Sequence, residues 1–163
     1  MLIVFVEGPD DEAYFSKVFA PSWGQYKIIQ YAGMKKDKIN NYIKSISCMP
    51  DSDYLFFGDS DGVAISEKCQ ALLSSFPNLV ADKVFIVQYE IESWYYAGID
   101  EQAARKLKMK HFVFSTDSLT KEQFNAKLAR PSDRKYVMAC ILNQYMLNLA
   151  VTRNNSLSLF VGS

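Results

Sequence analysis

Acidic side chains stand where apolar runs of this chain stop. Leu2-Ile3-Val4-Phe5-Val6 leads straight into Glu7, and Tyr54-Leu55-Phe56-Phe57 leads through Gly58 into Asp59-Ser60-Asp61-Gly62. Val84-Phe85-Ile86-Val87 is followed by Glu90 and Glu92, and Asp10 and Asp11 lie just past the first run. Carboxylates brought close together repel one another unless a cation joins them. Hard oxygen ligands suit Mg²⁺ or Mn²⁺, which take a few carboxylates and complete their shells with water and substrate oxygens. Glu7, Asp59 and Asp61 are therefore the candidate metal and catalytic set. The small Ser60 and the following Gly62 allow a tight turn that would aim both aspartates forward.

An α/β domain of the Rossmann-like, three-layer kind would gather these residues. Continuous apolar runs of four or five residues read as strands buried on both faces. Strands are expected over 2–6, 26–31, 54–57 and 84–87. Helices are expected from Asp10 or Asp11 to about Phe19, over 35–46 and over about 63–75, with a short helix or turn over 90–97. The first helix should bury Ala13, Phe15, Val18 and Phe19. Strand–helix alternation implies a mainly parallel sheet of about four strands with helices on both faces. Right-handed crossovers place all the strands' carboxyl ends on one edge, where ligands of such sheets bind. Helices over about 100–108, 120–129 and 134–150 would complete the chain. The expectation is one domain over 1–163, with an α/β core over 1–97 and a mostly helical extension over 98–163.

Formal net charge is zero, yet it is polarised. Residues 1–100 carry eight Lys/Arg against fourteen Asp/Glu, and residues 101–163 carry ten against four. An acidic part followed by a basic part suits a metal site beside an anion-binding surface. Cys48, Cys69 and Cys140 are too scattered for a disulfide framework or a zinc site, and free thiols suit a reducing cytosol. No apolar run approaches the eighteen or so residues of a membrane span, so a cytoplasmic protein with no membrane partner is expected. His111, the only histidine, reads as structural, and no Ser–His or Cys–His nucleophile arrangement stands out.

Val6-Glu7-Gly8-Pro9-Asp10-Asp11-Glu12 resembles the Glu-Gly signature after the first strand of Toprim domains, and Phe57-Gly58-Asp59-Ser60-Asp61-Gly62 resembles their Asp-x-Asp after the third. The intervening stretch of about fifty residues holds one further strand and helix, as in that family. Gln88-Tyr89-Glu90-Ile91-Glu92-Ser93-Trp94-Tyr95 and Arg130-Pro131-Ser132-Asp133-Arg134-Lys135 are similar to segments of stand-alone proteins that resemble OLD nucleases. The resemblance implies a metal-dependent phosphodiester hydrolase acting on DNA or RNA. Glu7 would be general acid/base or metal ligand, and Asp59 and Asp61 would bind Mg²⁺ or Mn²⁺. Asp11 would support the first site and Glu92 a second metal. Lys36, Arg130, Arg134 and Lys135 would bind phosphates, and a homodimer or a partner protein would be in keeping with such domains. Within these 163 residues no counterpart of the ATPase domain of full OLD proteins is expected.

Two other readings compete. Residues 54–63 also resemble the opening motif of haloacid-dehalogenase phosphatases, with Asp59 as nucleophile and Asp61 as acid/base, although that motif normally sits on the first strand. A phosphoaspartate receiver would use Asp10, Asp11 and Asp59 but would want a lysine after a fifth strand. A module without catalysis, docking partners through Trp94, Tyr95 and Tyr96, is the second class of reading. Neighbouring parallel strands ending in Glu7 and Asp59 would favour the Toprim-like arrangement.

Overall fold

The strand β1 (Leu2–Val6) is flanked on both sides: β2 (Tyr26–Gln30) pairs with it in parallel register, Val4 opposite Ile28, and β3 (Asp53–Asp59) pairs with it in parallel on the other side, Val4 opposite Leu55. Adding β4 (Val84–Val87) outside β3 gives the order β2-β1-β3-β4, an all-parallel four-stranded sheet within an α/β fold. This computed structural model describes all 163 residues. Chain direction across the sheet reverses between β1 and β3: the chain first steps from β1 outward to β2, then crosses back over β1 to β3. In open α/β sheets, ligands bind outside the carboxyl ends of strands at such a reversal.

The two faces of the sheet are covered by different helices, as side-chain alternation along the strands requires. Ile3 and Phe5 of β1, Tyr54 and Phe56 of β3 and Ile86 of β4 pack with Ile39, Ile43 and Ile46 of α2 (Lys36–Ser47) and with Leu72 of α3 (Ile65–Ser75), in one apolar cluster. On the opposite face Phe57 meets Phe15 of α1 (Pro9–Val18), ring centroids 4.3 Å apart. In α1 it is Tyr14 and Phe15 that are buried, while Ala13 is exposed. The larger Tyr14 ring therefore takes the inward place expected of Ala13, and it packs edge-on to Phe15.

The chain divides into two compact units, residues 1–86 and 87–163. The second unit contains α4 (Glu92–Ala97), whose every side chain is buried. Its neighbours within the second unit are α6 (Lys121–Lys127), α7 (Arg134–Asn143) and α8 (Leu147–Arg153), so α4 is the centre of a helical unit. The unit also contains α5 (Glu101–Lys106) and α9 (Asn155–Val161).

The helix expected over 134–150 is interrupted at Gln144–Met146 and resumes as α8. Tyr145 donates to the Trp94 carbonyl at 2.9 Å and the Met146 N–H donates to the Gly98 carbonyl at 2.9 Å. A Cβ on Gly98 would lie 2.1 Å from the Tyr145 ring, so the bare glycine is what admits the tyrosine. Arg153, 2% exposed, ties the second unit together. Its guanidinium donates to the carbonyls of Tyr96, Ala97 and Ile99 around the end of α4 and to those of Val113 and Phe114. No helix is long and apolar enough to cross a membrane.

Candidate functional site

Glu7 and Asp59 end neighbouring parallel strands at the reversal of chain direction. Glu7 is fixed from both sides. Its carbonyl accepts the Ala32 N–H at 3.3 Å, extending the pairing with the β2 side. Its carboxylate Oε1 accepts the Asp59 N–H at 3.1 Å, reaching across to the β3 side. The backbone of Asp59 thus points a donor at Glu7, and Asp59 itself is 8% exposed.

Tyr31, immediately after β2, is the third member of this cluster and was not singled out in the sequence. Its hydroxyl lies 2.9 Å from the Phe57 carbonyl and 3.3 Å from Glu7 Oε1, with geometry for donation to each. Burial, reinforced by the negative charges of Glu7, Asp59 and Asp11, pushes the Tyr31 phenol well above its ordinary range, so it remains a protonated donor at physiological pH. Gly58, between Phe57 and Asp59, makes room for Leu72 beside this cluster. A Cβ there would stand 2.9 Å from Leu72 Cδ1 and 3.5 Å from the Tyr31 hydroxyl. The signal that could have found Tyr31 is a polar-tipped aromatic ending a strand beside the strand that delivers Glu7.

Asp11 is buried at the start of α1, where Pro9 takes the first turn without losing a needed N–H. Its Oδ2 accepts the Gly8 N–H at 3.1 Å, reaching back over the helix start as a capping carboxylate does. Together Glu7, Asp59 and Asp11 form an acidic surround for the Tyr31 hydroxyl.

Asp61 behaves differently from the expectation that both aspartates are aimed forward together. Ser60 to Val63 is a turn closed by the Val63 N–H donating to the Ser60 carbonyl at 3.0 Å, with both central residues, Asp61 and Gly62, at positive φ (52° and 83°). The left-handed conformation at Asp61 leaves its side chain 56% exposed and ion-paired with Lys68 at 2.7 Å. Aspartate tolerates that conformation better than most residues.

In the second unit, Glu92 is 3% exposed and its Oε1 accepts from Arg134 at 2.6 Å, with the Lys121 ammonium at 3.9 Å. Arg134 also donates to Asn125 at 2.7 Å and lies over the Phe124 ring. The residue expected to serve a second metal and one expected to bind phosphate are therefore joined to each other. Burial, with the Glu92 charge nearby, raises the Glu90 carboxyl above the usual range, and that carboxyl accepts the Lys121 N–H at 2.9 Å. Of the other expected phosphate binders, Lys36 is exposed and 3.5 Å from Ser75, Arg130 is forked onto Asp133, and Lys135 is exposed.

No group of three or more His, Cys, Asp or Glu side chains is arranged to hold a metal ion. The donor chemistry at the switch point fits Mg²⁺ or Mn²⁺ as two carboxylates, Glu7 and Asp59, completed by water and substrate oxygens, which is how Mg²⁺ is commonly bound. It does not fit an all-protein cage. Set against known protein families, characterised proteins and solved structures, the chain matches none.

Proposed function

We propose that the first unit is a metal-dependent phosphodiester hydrolase acting on nucleic acid, with Glu7 and Asp59 as its working carboxylates. The observation that carries this reading is the contact between Glu7 Oε1 and the Asp59 N–H across the reversal point of a parallel sheet. Support also comes from the resemblance of the two strand-end motifs to those of Toprim domains. Bound there, Mg²⁺ or Mn²⁺ would supply polarisation of the phosphodiester and activation of water. Asp59 would hold the ion, and Glu7 would share it through Oε2 or move a proton, since the contacts to Asp59 and Tyr31 both use Oε1. Tyr31 would fix the Glu7 rotamer. Exposed Lys36 would attract the phosphate backbone without reading sequence. Asp61 would join the ion on leaving Lys68.

Nicking of supercoiled plasmid DNA, or cleavage of a single-stranded RNA, in Mg²⁺ or Mn²⁺ tests the reading. Metal-dependent cleavage lost in both Glu7→Gln and Asp59→Asn is the expected result. Hydrolysis of a simple phosphate monoester that survives Glu7→Gln but not Asp59→Asn would overturn it in favour of the phosphatase. No cleavage of either polymer, with no Mn²⁺ binding by calorimetry, would leave a non-catalytic module.

A further inference from the structure

A cavity of about 350 Å³ lies wholly within the second unit. Its size is in the range of small-molecule sites, on the order of 300–1,000 Å³. Val113 and Leu119 give its wall an apolar part, and Ser115, Ser118 and Gln123 give it a polar part. Lys127 of α6 also lines it.

Lys127 is unusual for a lysine in being 7% exposed. Its ammonium donates to the His111 carbonyl and stands over the Tyr96 ring, 5.3 Å from the centroid. No acidic side chain opposes the burial that lowers its proton affinity. The same Tyr96 ring also faces the guanidinium of Arg153 at 5.4 Å, and Arg153 hydrogen-bonds only to backbone carbonyls. Two buried cations therefore share one ring with no carboxylate in salt-bridge contact with either, although the charge of Asp100 acts on Arg153. Buried charges are ordinarily paired, because an unpaired one forfeits its hydration without return.

We propose that this cavity binds a small organic carboxylate, its anionic head on the Lys127 ammonium and its apolar body against Val113 and Leu119. The ligand supplies the missing counter-charge. Gln123 accepts the Thr120 N–H with Oε1, which leaves its Nε2 as a donor for the second carboxylate oxygen. A monoanion suits the site better than a phosphate. Lys127 is the one Lys or Arg in the lining, with His111 the other basic side chain there and the Arg153 donors committed to carbonyls, and a dianionic head calls for several cationic donors or a forked guanidinium.

The test is a titration of the intact chain with hexanoate, followed by amide ¹H–¹⁵N shifts, with hexan-1-ol as the neutral match. Hexanoate is expected to shift the amides of Leu119, Gln123 and Ala126 saturably, about tenfold more tightly than the alcohol. Lys127→Met should erase that preference. Ala126→Trp, at an exposed helical position on the cavity wall, should block both ligands while the rest of the spectrum stays folded. Should Lys127→Met fail to fold, the Ala126→Trp result and the comparison with hexan-1-ol stand alone. Absence of saturable shifts, equal affinity for the alcohol, or hexanoate binding undiminished by Ala126→Trp would overturn the proposal.

Discussion

The carboxylate of Glu7 receives the backbone N–H of Asp59 at 3.1 Å, so a side chain from one strand and the main chain of its neighbour are locked together at the sheet's edge. Glu7→Ala would leave that N–H without its acceptor. It would also remove the second partner of the Tyr31 hydroxyl. Loss of a buried donor's partner costs about 1–3 kcal/mol. Urea denaturation should register a fall of that size for Glu7→Ala and a much smaller one for Glu7→Gln, whose amide oxygen can still accept. Equal stability of the alanine and glutamine variants would show the contact to be without energetic weight.

Tyr31 makes stability depend on pH in the alkaline range. Its folded phenol holds its proton beyond the ordinary value of about 10, while the unfolded one releases it there. The unfolded state therefore binds fewer protons above about pH 10, and stability falls as pH rises past that point. Burial also raises Tyr54 and Tyr96, so the measurement must be a difference. Unfolding midpoints of the wild type and Tyr31→Phe, compared from neutral pH into the alkaline range, should show a shallower decline for the variant. Parallel curves would refute the assignment.

Asp61→Asn separates an exposed ion pair from a metal ligand. As a surface pair with Lys68, the interaction is worth about 0–1 kcal/mol, and asparagine is at home at positive φ. Thermal stability without metal should barely change. If Asp61 leaves Lys68 to join a bound ion, Mn²⁺ affinity measured by calorimetry should drop severalfold. An unchanged affinity would confine the ion to Glu7 and Asp59.

Arg134→Met should be among the most damaging single changes in the second unit. It strands the Glu92 carboxylate, 3% exposed, with only the distant Lys121 ammonium. Breaking a buried pair on one side costs about 3–5 kcal/mol. The double variant Glu92→Gln/Arg134→Met should recover part of that loss in chemical denaturation. A double variant as unstable as the sum of the two single changes would mean that the residues are not coupled.

The strand–helix alternation was legible because its strands are unbroken apolar runs, from Leu2 to Val6, Tyr54 to Phe57 and Val84 to Val87, which little else in a soluble chain produces. Chain direction and crossover handedness placed the ends of both strands on one edge, and the pairing of β1 with β3 made Glu7 and Asp59 neighbours there. What stayed hidden depends on contacts between distant residues. Nothing local to Gln144-Tyr145-Met146 breaks a helix; Trp94 and Gly98 do it from almost fifty residues away. The union of Glu92 with Arg134 is also remote in sequence, and it joins two candidate ligands to each other. The direction of the Asp61 side chain has a local cause: Asp-Gly at the centre of a turn signals positive φ, and that sends a side chain elsewhere than a strand end would. The start of α9 had a readable cue in Asn154, whose side chain accepts the Leu157 N–H at 3.0 Å as an N-cap.

Parallel pairing of β1 with β3 carries a consequence for biosynthesis. Two parallel strands cannot be joined by a hairpin, so β1 has to wait through a complete β-α-β-α passage before its inner partner exists. During synthesis Glu7 therefore emerges well before the aspartate whose N–H it accepts. The acidic pair comes into being only as residue 59 emerges and the central register closes. Whatever chemistry those two side chains perform is withheld from every shorter translation product, a safeguard written into strand order.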